Sequence, residues 1–335
     1  MTGRRRGFRF ALGLAVSAGF VYYMALELEW QLFLQHLASA KPAYLLVALA
    51  LLAVDYVLRL YRWHRMLRVV GSTAGLAGCA RPFLIGFALN NLLPMRAGDI
   101  ARAVAFRRTL GVPVASTTAT LLVERLLDLL VLLAIVGISV AYLPNDANFF
   151  ANTLGAAPVA VAAAIFALAA AISIGLVVVS RASTIKSKAA TAGRLHFQAG
   201  QWLGALGEAL LYFPRMRIVA PLAGLSIVIW CIEAGVFVAV AWSLNMNSAG
   251  IWLAMGLGNI GTLLPGSPGH VGTFDFFTMA GIMAHGTRRT LAAAFAVLVH
   301  VLLWLPLTSA GLLLIIMPAP TQRETANNEG DPDVA

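Results

Sequence analysis

Charged residues are scarce in this sequence: Asp, Glu, Lys and Arg together make up 11% of its 335 residues, whereas 60% are hydrophobic. A chain of this length would form two or three domains in water, and such domains need more polar surface than this composition supplies. Apolar stretches of roughly 20 residues, about the length of a membrane-spanning helix, instead recur between Phe10 and Met317. The composition excludes a soluble protein with one anchor and predicts an all-α polytopic membrane protein.

Cysteine and the common catalytic motifs are also rare or missing. The two cysteines, Cys79 and Cys231, lie far apart without CxxC spacing, which argues against a disulfide framework or a metal site. The sequence has no HExxH motif, no Walker loop and no GxSxG elbow, so nothing in it announces an enzyme, and we expect no cofactor and no metal. A net charge of +10 without a basic, aromatic-rich surface argues against nucleic acid as a partner and for anionic lipid.

Six apolar segments are long enough to cross a membrane, namely about 10–28, 43–63, 114–142, 156–180, 218–243 and 290–317. Two shorter apolar segments, 82–94 and 250–265, are interrupted by Asn and Gly and stopped by Pro. A segment that enters the membrane and returns is stable only where its irregular backbone is buried in protein or faces water. We therefore expect two re-entrant segments, which makes eight membrane segments in all.

The basic residues test this topology, because cytoplasmic connections are enriched in Lys and Arg. Four arginines before residue 10 predict a cytoplasmic N-terminus. The membrane that we expect to contain the chain is the inner (plasma) membrane of the cell. A complete crossing by 82–94 would put four further arginines outside, namely Arg96, Arg102, Arg107 and Arg108. A re-entrant segment keeps them inside, and the same count returns the C-terminus to the cytoplasm.

The two halves of the chain share one arrangement. Each pseudo-repeat, about 10–142 and 156–317, has two spans, a re-entrant segment and a third span, and an odd number of crossings inverts the second repeat relative to the first. An LLPxxxG motif begins at Leu92 and again at Leu263, at matching places in the two repeats. Paired short segments interrupted by Gly and Pro are typical of the substrate site in inverted-repeat transporters.

The remaining segments complete the predicted organisation. We predict one integral membrane domain over 1–320 and a disordered cytoplasmic tail over 321–335, which is short and polar. Segment 194–213 spaces Leu and Trp at helical intervals. It fits an amphipathic helix on the inner leaflet and an ordinary cytoplasmic connector equally well.

The first re-entrant segment combines helix breakers, amides and guanidiniums. We expect one half-helix to end at Pro94 and Gly98 and a second to be capped by Asp99. This arrangement would leave backbone amides exposed beside Arg96 and Arg102. Amides and guanidiniums together suit a phosphate group. We predict that this segment binds substrate through Asn90, Asn91, Arg96, Asp99 and Arg102. The alternative is that the arginines only anchor the chain at the cytoplasmic headgroups.

Charged residues inside the spans need a partner or a function, because each costs about 2.5–3.5 kcal/mol in the hydrocarbon. Asp55 and Glu233 are two such residues. In the third span, Glu124 and Asp128 face the same side and Arg125 can reach Asp128. Either Arg125 and Asp128 neutralise each other, or a spare carboxylate pairs with another arginine or accepts a proton during transport. We predict that all three residues of this third-span group contribute to the substrate site.

The second re-entrant segment is the richest in residues that cannot continue a helix, namely Pro265, Pro268, Gly269 and Gly272. Their free backbone groups need partners at membrane depth. His270 lies among them, with an imidazole that can change charge near neutral pH, and Asp275 follows about one turn later. We predict that both bind substrate. The alternative is an external turn between two spans.

Three motifs in these regions resemble those of a known family. The pattern P-x-R-x-G-[DE]-x-x-R falls on Pro94, Arg96, Gly98, Asp99 and Arg102. The pattern V-E-R-x-x-D falls on Val123, Glu124, Arg125 and Asp128. The pattern P-G-x-x-G-x-[FV]-[DE] falls on Pro268, Gly269, Gly272, Phe274 and Asp275. Up to about residue 318 the sequence resembles the flippase-like transmembrane family related to the N-terminal membrane portion of lysylphosphatidylglycerol synthases.

The resemblance implies a stand-alone, flippase-like protein that binds or translocates an anionic lipid, either a phospholipid or a polyprenyl phosphate. Arg96, Arg102 and Arg125 would bind phosphate, and Glu124, Asp128 or Asp275 would balance charge or couple protonation. Lipid-biosynthesis enzymes are the other implied partners, and an oligomer is compatible with this reading. Only 15 residues follow Pro320, so we do not expect the soluble domain that aminoacylates phosphatidylglycerol in the full synthases.

Two other functions stay open. The first is a membrane accessory protein or transferase that handles a lipid such as a hopanoid or polyprenol intermediate. The second, an ion channel, is weaker because no ring of charges of one sign is visible in the sequence.

Overall fold

The computed structural model describes residues 2–93, 96–143, 215–264 and 266–317 and the isolated positions 206, 209, 210 and 213, with side chains from Leu12 onward. All regular structure within these ranges is helical. Several predicted features lie outside the described residues, namely the span 156–180, most of segment 194–213, Pro94, Pro265 and the tail 321–335.

The described ranges contain eleven α-helices and one turn of 3-10 helix. The α-helices are α1 (Thr2–Ala25), α2 (Trp30–Ala38), α3 (Pro42–Val69), α4 (Leu76–Leu92), α5 (Ala97–Val104), α6 (Arg107–Leu110), α7 (Val114–Ala141), α8 (Met216–Ser243), α9 (Ile251–Gly261), α10 (Thr273–Met283) and α11 (Arg289–Ile316). The 3-10 turn comprises Pro268–His270 and lies between α9 and α10.

Three helices, α3, α8 and α11, are each 28 residues long and apolar enough to cross a membrane. Helix α7 has the same length but carries Glu124, Arg125 and Asp128 in its middle. In place of a single first span over 10–28, α1 ends at Ala25, and its apolar part meets α2 at a bend of 93°. The chain is therefore a multi-pass, all-α membrane protein, and α2 is a helix that the sequence did not predict.

Helices α3 and α8 pack against each other in antiparallel fashion. The Lys41 N–H, just before α3, donates to the Ser243 carbonyl at the end of α8, at 2.9 Å. Further along the same pair of helices, Arg62 of α3 donates to Ser226 of α8 at 2.7 Å. The largest apolar core lies beside this pair and is built around fully buried Phe237, Val240 and Phe295.

The remaining helices form two hairpins with corresponding contacts. In each hairpin, α4–α5 and α9–α10, the first arm packs on the last long helix of the other half: α4 on α11, and α9 on α7. The second arm of each packs on the long helix that follows it in its own half, α5 on α7 and α10 on α11. The two halves therefore make equivalent contacts around the α3–α8 pair.

Small residues allow the arms of each hairpin to approach closely. A Cβ atom added to Gly98 of α5 would lie 1.8 Å from the Gly86 carbonyl oxygen of α4, and one added to Gly281 of α10 would lie 2.5 Å from Ala254 Cα of α9. The start of α5 differs from the prediction. The prediction that Gly98 ends a half-helix is wrong, because Gly98 lies inside α5. The prediction that Asp99 caps α5 is also wrong, because the helix begins one turn earlier, after Arg96 in a left-handed conformation.

Candidate functional site

The tips of the two hairpins meet in the interior of the described structure. Arg96, just before α5, has a φ of 53°, and in the second hairpin Gly269 has a φ of 71° and His270 a φ of 58°. A Cβ atom at Gly269 would lie 2.8 Å from the Trp304 indole nitrogen and 3.4 Å from the Asn91 carbonyl oxygen. Glycine is required here because the left-handed backbone lies in close contact with both neighbours.

A cavity of about 280 Å³ opens where the tips meet. Its polar lining comes from α3, from both hairpins and from the three other long helices, and consists of Tyr56, Arg59, Asn90, Asn91, Arg96, Arg125, Asp128, Trp230, Glu233, Asn259, Thr262, His270, His300 and Trp304. Apolar side chains, including Phe87, Leu129, Leu132 and Phe274, complete the wall. Polar groups at the meeting point of two broken segments are typical of binding sites in membrane transporters.

A first ion pair fixes α7 to α3 at the cavity wall. Two nitrogens of the Arg62 guanidinium donate to the two carboxylate oxygens of Asp128, at 2.6 and 3.0 Å. Arg62 is fully buried, and the Trp230 indole N–H donates to the same carboxylate at 3.2 Å. A fork of this geometry is the strongest form of a guanidinium–carboxylate contact.

Two more pairs attach the first hairpin to α7. The fully buried Arg102 donates to Glu124 at 3.4 Å and lies 4.0 Å over the ring of Trp63. Arg125 donates to both oxygens of Asp99 at 3.3 Å. Asp99 also exchanges two hydrogen bonds with Asn90, which ties the start of α5 to the end of α4. The tip of the first hairpin is therefore held by charge as well as by packing.

A third group of charges contains more acid than base. Arg59 donates to Asp55 Oδ2 at 2.6 Å and to Glu233 Oε2, and Asn259 donates to the second Glu233 oxygen at 2.8 Å. Asp55 is 1% exposed, and its Oδ1 atom is buried without a hydrogen-bond partner. One guanidinium thus serves two carboxylates beside the cavity, since Asp128 is 4.0 Å away from Arg59 and is already paired with Arg62.

Several polar groups of the cavity wall have no such partner. Among the described residues, the guanidinium of Arg96 makes no salt bridge or hydrogen bond. The Nδ1 atom of His270 and the indole nitrogen of Trp304 are buried without a hydrogen-bond partner. Because a buried polar group without a partner is costly, these groups mark the part of the cavity that is suited to a polar ligand, and Arg96 and Trp304 offer it donors.

His300 of α11 ties the tip of the second hairpin to the helix that follows it. Its Nδ1 lies 2.8 Å from Asp275 Oδ1, and its Nε2 lies 2.9 Å from the Gly269 carbonyl oxygen. Both partners are acceptors, so the imidazole donates to both only in its charged form. Asp275 also accepts the Gly272 N–H at the start of α10, at 2.8 Å.

The structure divides the residues predicted from the sequence into two sets. Six line the cavity, namely Asn90, Asn91, Arg96, Arg125, Asp128 and His270. Four lie behind the lining and hold it in place, namely Asp99, Arg102, Glu124 and Asp275. The alternative in which Arg125 neutralises Asp128 is not the arrangement observed, because Arg125 forms an ion pair with Asp99 and Asp128 forms one with Arg62.

Other lining residues were not assigned to the site from the sequence, namely Arg59, Trp230, Glu233, Asn259, His300 and Trp304. Glu233 gave a signal as a charge within a span, and Asn259 gave one as the amide upstream of the second LLPxxxG motif. His300 gave none, because its partners Asp275 and Gly269 reach it only through folding. In the described part of the chain, no group of three His, Cys, Asp or Glu side chains is placed to hold a metal ion.

Two comparisons with known proteins bear on this site. The family model described as the lysylphosphatidylglycerol synthase TM region matches residues 10–311, a range that includes both hairpins and every lining residue. A curated relative, Glycosyltransferase AglD of Haloferax volcanii, is 25% identical over 323 residues, which cover 86% of this chain and 51% of the relative. The chain therefore spans about half the length of this relative.

Proposed function

We propose, because this chain belongs to the lysylphosphatidylglycerol synthase TM region family, that it binds the headgroup of an anionic membrane lipid in this cavity and translocates that lipid across an inner membrane. Three cavity groups carry the proposal: the unpaired guanidinium of Arg96, and the unpartnered nitrogens of His270 and Trp304. A phosphate offers several acceptor oxygens to such a set, and a guanidinium binds it with a planar fork.

The hairpins support an inverted, re-entrant arrangement in this proposal. Arg81 near the start of α4 donates to the Met317 carbonyl at the end of α11, and Arg289 at the start of α11 donates to carbonyls at the end of α1. A cytoplasmic end for α11 therefore puts the entrance of the first hairpin on the cytoplasmic side and the end of α1 on the other. This is the orientation that the basic residues favour, with both termini in the cytoplasm.

The surface of the tips supports a path for the lipid chains. Leu93, Leu263 and Val271, at or beside the hairpin tips, are 43–53% exposed. Apolar side chains at such positions can face acyl or prenyl chains while the headgroup occupies the cavity. In this arrangement the headgroup leaves water without carrying its lipid chains out of the bilayer.

A transport assay tests the proposal. The purified chain is reconstituted into vesicles that contain fluorescent phosphatidylglycerol, and movement between leaflets is followed by quenching from outside. We expect Arg96→Ala to slow this movement about tenfold or more, because a hydrogen bond to a charged group contributes about 1.5–3 kcal/mol. The control is Arg217→Ala, which removes the same charge from an exposed residue outside the cavity. Equal rates for the two variants would contradict headgroup binding at Arg96. No movement of any anionic lipid in a panel would contradict translocation.

A second candidate function rests on the relative whose name is that of a glycosyltransferase. Under this alternative, the chain is a membrane accessory protein or part of a transferase, and it presents a lipid such as a polyprenol or hopanoid intermediate to an enzyme. Lipid mass spectrometry of a deletion strain separates the two functions. A transferase role predicts the loss of a modified lipid, whereas translocation predicts an unchanged set of lipid species with a changed distribution between leaflets.

A further inference from the structure

The buried charges around the cavity divide into balanced pairs and two unbalanced groups. The balanced pairs are Arg62–Asp128, Arg102–Glu124 and Arg125–Asp99, and Asp275 is bonded to His300. The first unbalanced group is the acidic triad, defined here as Asp55, Arg59 and Glu233, which has two carboxylates for one guanidinium. The second is Arg96, which has no ionic partner among the described residues and lines the same cavity as Arg59 and Glu233. With every group ionised, the triad carries one net negative charge and Arg96 carries one positive charge.

We propose that binding of an anionic headgroup at Arg96 is coupled to the uptake of one proton by the acidic triad. The inference rests on the proposed function, since it requires the anion to bind at Arg96. A bound anion adds negative charge to the cavity that Arg59 and Glu233 line, and in a region of low dielectric this disfavours the ionised form of the second carboxylate. Anion and proton would therefore occupy the protein together.

The hydrogen bonds of the triad indicate where the proton resides. Both Glu233 oxygens already accept hydrogen bonds, one from Arg59 and one from Asn259. Asp55 has one oxygen bonded to Arg59, and its other oxygen, Oδ1, is buried without a partner. A proton on Oδ1 removes an uncompensated charge from that position.

Other titratable or charged groups line the cavity or lie behind its lining: Tyr56 and Arg62 on α3, Arg96, Asp99 and Arg102 in the first hairpin, Glu124, Arg125 and Asp128 on α7, His270 and Asp275 in the second hairpin, and His300 on α11. Most of the charged groups in this set are held in the pairs described above, and His300 is bonded to Asp275 and Gly269. His270 is the competing proton acceptor, because its ring lines the cavity and its Nδ1 has no partner.

Calorimetry measures the coupling directly. The full chain in detergent is titrated with dihexanoyl phosphatidylglycerol in two buffers of different ionisation enthalpy, and the difference in heat gives the protons taken up per lipid bound. We expect uptake of about one proton per lipid by the unmodified chain. The apparent affinity should then fall about tenfold for each unit by which the pH is raised, in the range where uptake is complete. Asp55→Asn and Glu233→Gln should each bring uptake close to zero while binding persists. Glu29→Gln, at an exposed carboxylate outside the cavity, should leave it unchanged.

Each outcome decides between named possibilities. Binding without proton uptake overturns the coupling and leaves the proposed function standing, whereas no binding by the unmodified chain overturns both. Uptake that survives in both triad variants but is lost in His270→Gln assigns the proton elsewhere and overturns the proposal. Tighter binding of dihexanoyl phosphatidylethanolamine with no uptake would place an ammonium at the triad. Size-exclusion profiles of the two triad variants show which of them retains the fold. Proton uptake by a variant that retains the fold is the measurement that decides the proposal.

Discussion

At the residue scale, three buried arginines combine a carboxylate with a second partner. Arg62 adds the hydroxyl of Ser226, Arg102 adds the ring of Trp63, and Arg59 lies 4.8 Å over the ring of Trp230. A guanidinium has five donors in a plane, so one carboxylate cannot satisfy it, and an aromatic face accepts part of its remaining charge. Lysine lacks this geometry, which explains why the buried cations described here are arginines.

The Arg62–Asp128 pair gives a direct test of these contacts. Arg62→Met leaves the Asp128 carboxylate buried without its bidentate partner, and breaking a buried pair costs about 3–5 kcal/mol. We expect a clear drop in the thermal midpoint of the purified protein. The double variant Arg62→Met/Asp128→Leu removes both charges and should recover much of the loss. A double variant no more stable than Arg62→Met would show that the loss does not come from the unpaired Asp128 carboxylate.

The sequence identified buried charges but not their partners. Spacing along one helix reports only neighbours three or four residues apart, so it indicated Asp128 as the partner of Arg125. The observed partner of Asp128 is 66 residues away in the chain and that of Arg59 on α8 is 174 away. Contacts of this kind depend on how α3, α7 and α8 pack, and a single sequence carries no record of that packing.

At the element scale, hydropathy was enough to locate the long helices. The segment 218–243 became Met216–Ser243, and 290–317 became Arg289–Ile316, because each is one unbroken apolar run. Short elements were less predictable. Helix α2 is nine residues long with no buried residue, and α5 starts at a left-handed arginine that no propensity favours. The position of α5 is set by its contact with α4.

The close contact between the arms of the first hairpin makes a prediction for Gly98. The added methyl group of Gly98→Ala meets the Gly86 carbonyl, which is backbone and cannot move aside alone. We expect a loss of about 1–3 kcal/mol, as for an overpacked core, together with slower lipid movement because the tip is displaced. Gly224→Ala, in helix α8 with nothing within 4 Å of the new methyl group, is the control and should keep both properties. Equal thermal midpoints for the two variants would contradict the close packing of the arms.

At the scale of the whole molecule, the equivalent contacts of the two halves explain how a cavity forms without a gap in the fold. Each hairpin is held on one side by a long helix of its own half and on the other by a long helix of the opposite half. The tips can therefore meet while their outer ends remain anchored. Asn91 of one tip lies against Gly269 and Thr308 of the other half, and residues of both halves line the cavity, so a ligand bound there would contact both halves at once.

This arrangement predicts which connections lie on which side of the membrane. Arg108 after the first hairpin and Ser248 before the second are both exposed, and an inverted pair of re-entrant hairpins places them on opposite faces. In a Cys231→Ala background that retains the buried Cys79, Arg108→Cys should react with a membrane-impermeant maleimide only in inside-out vesicles, and Ser248→Cys only in intact cells. Labelling of both from the same side would mean that the first hairpin crosses the membrane completely. The two tips could not then enter from opposite faces, and the shared cavity would have to be built in another way.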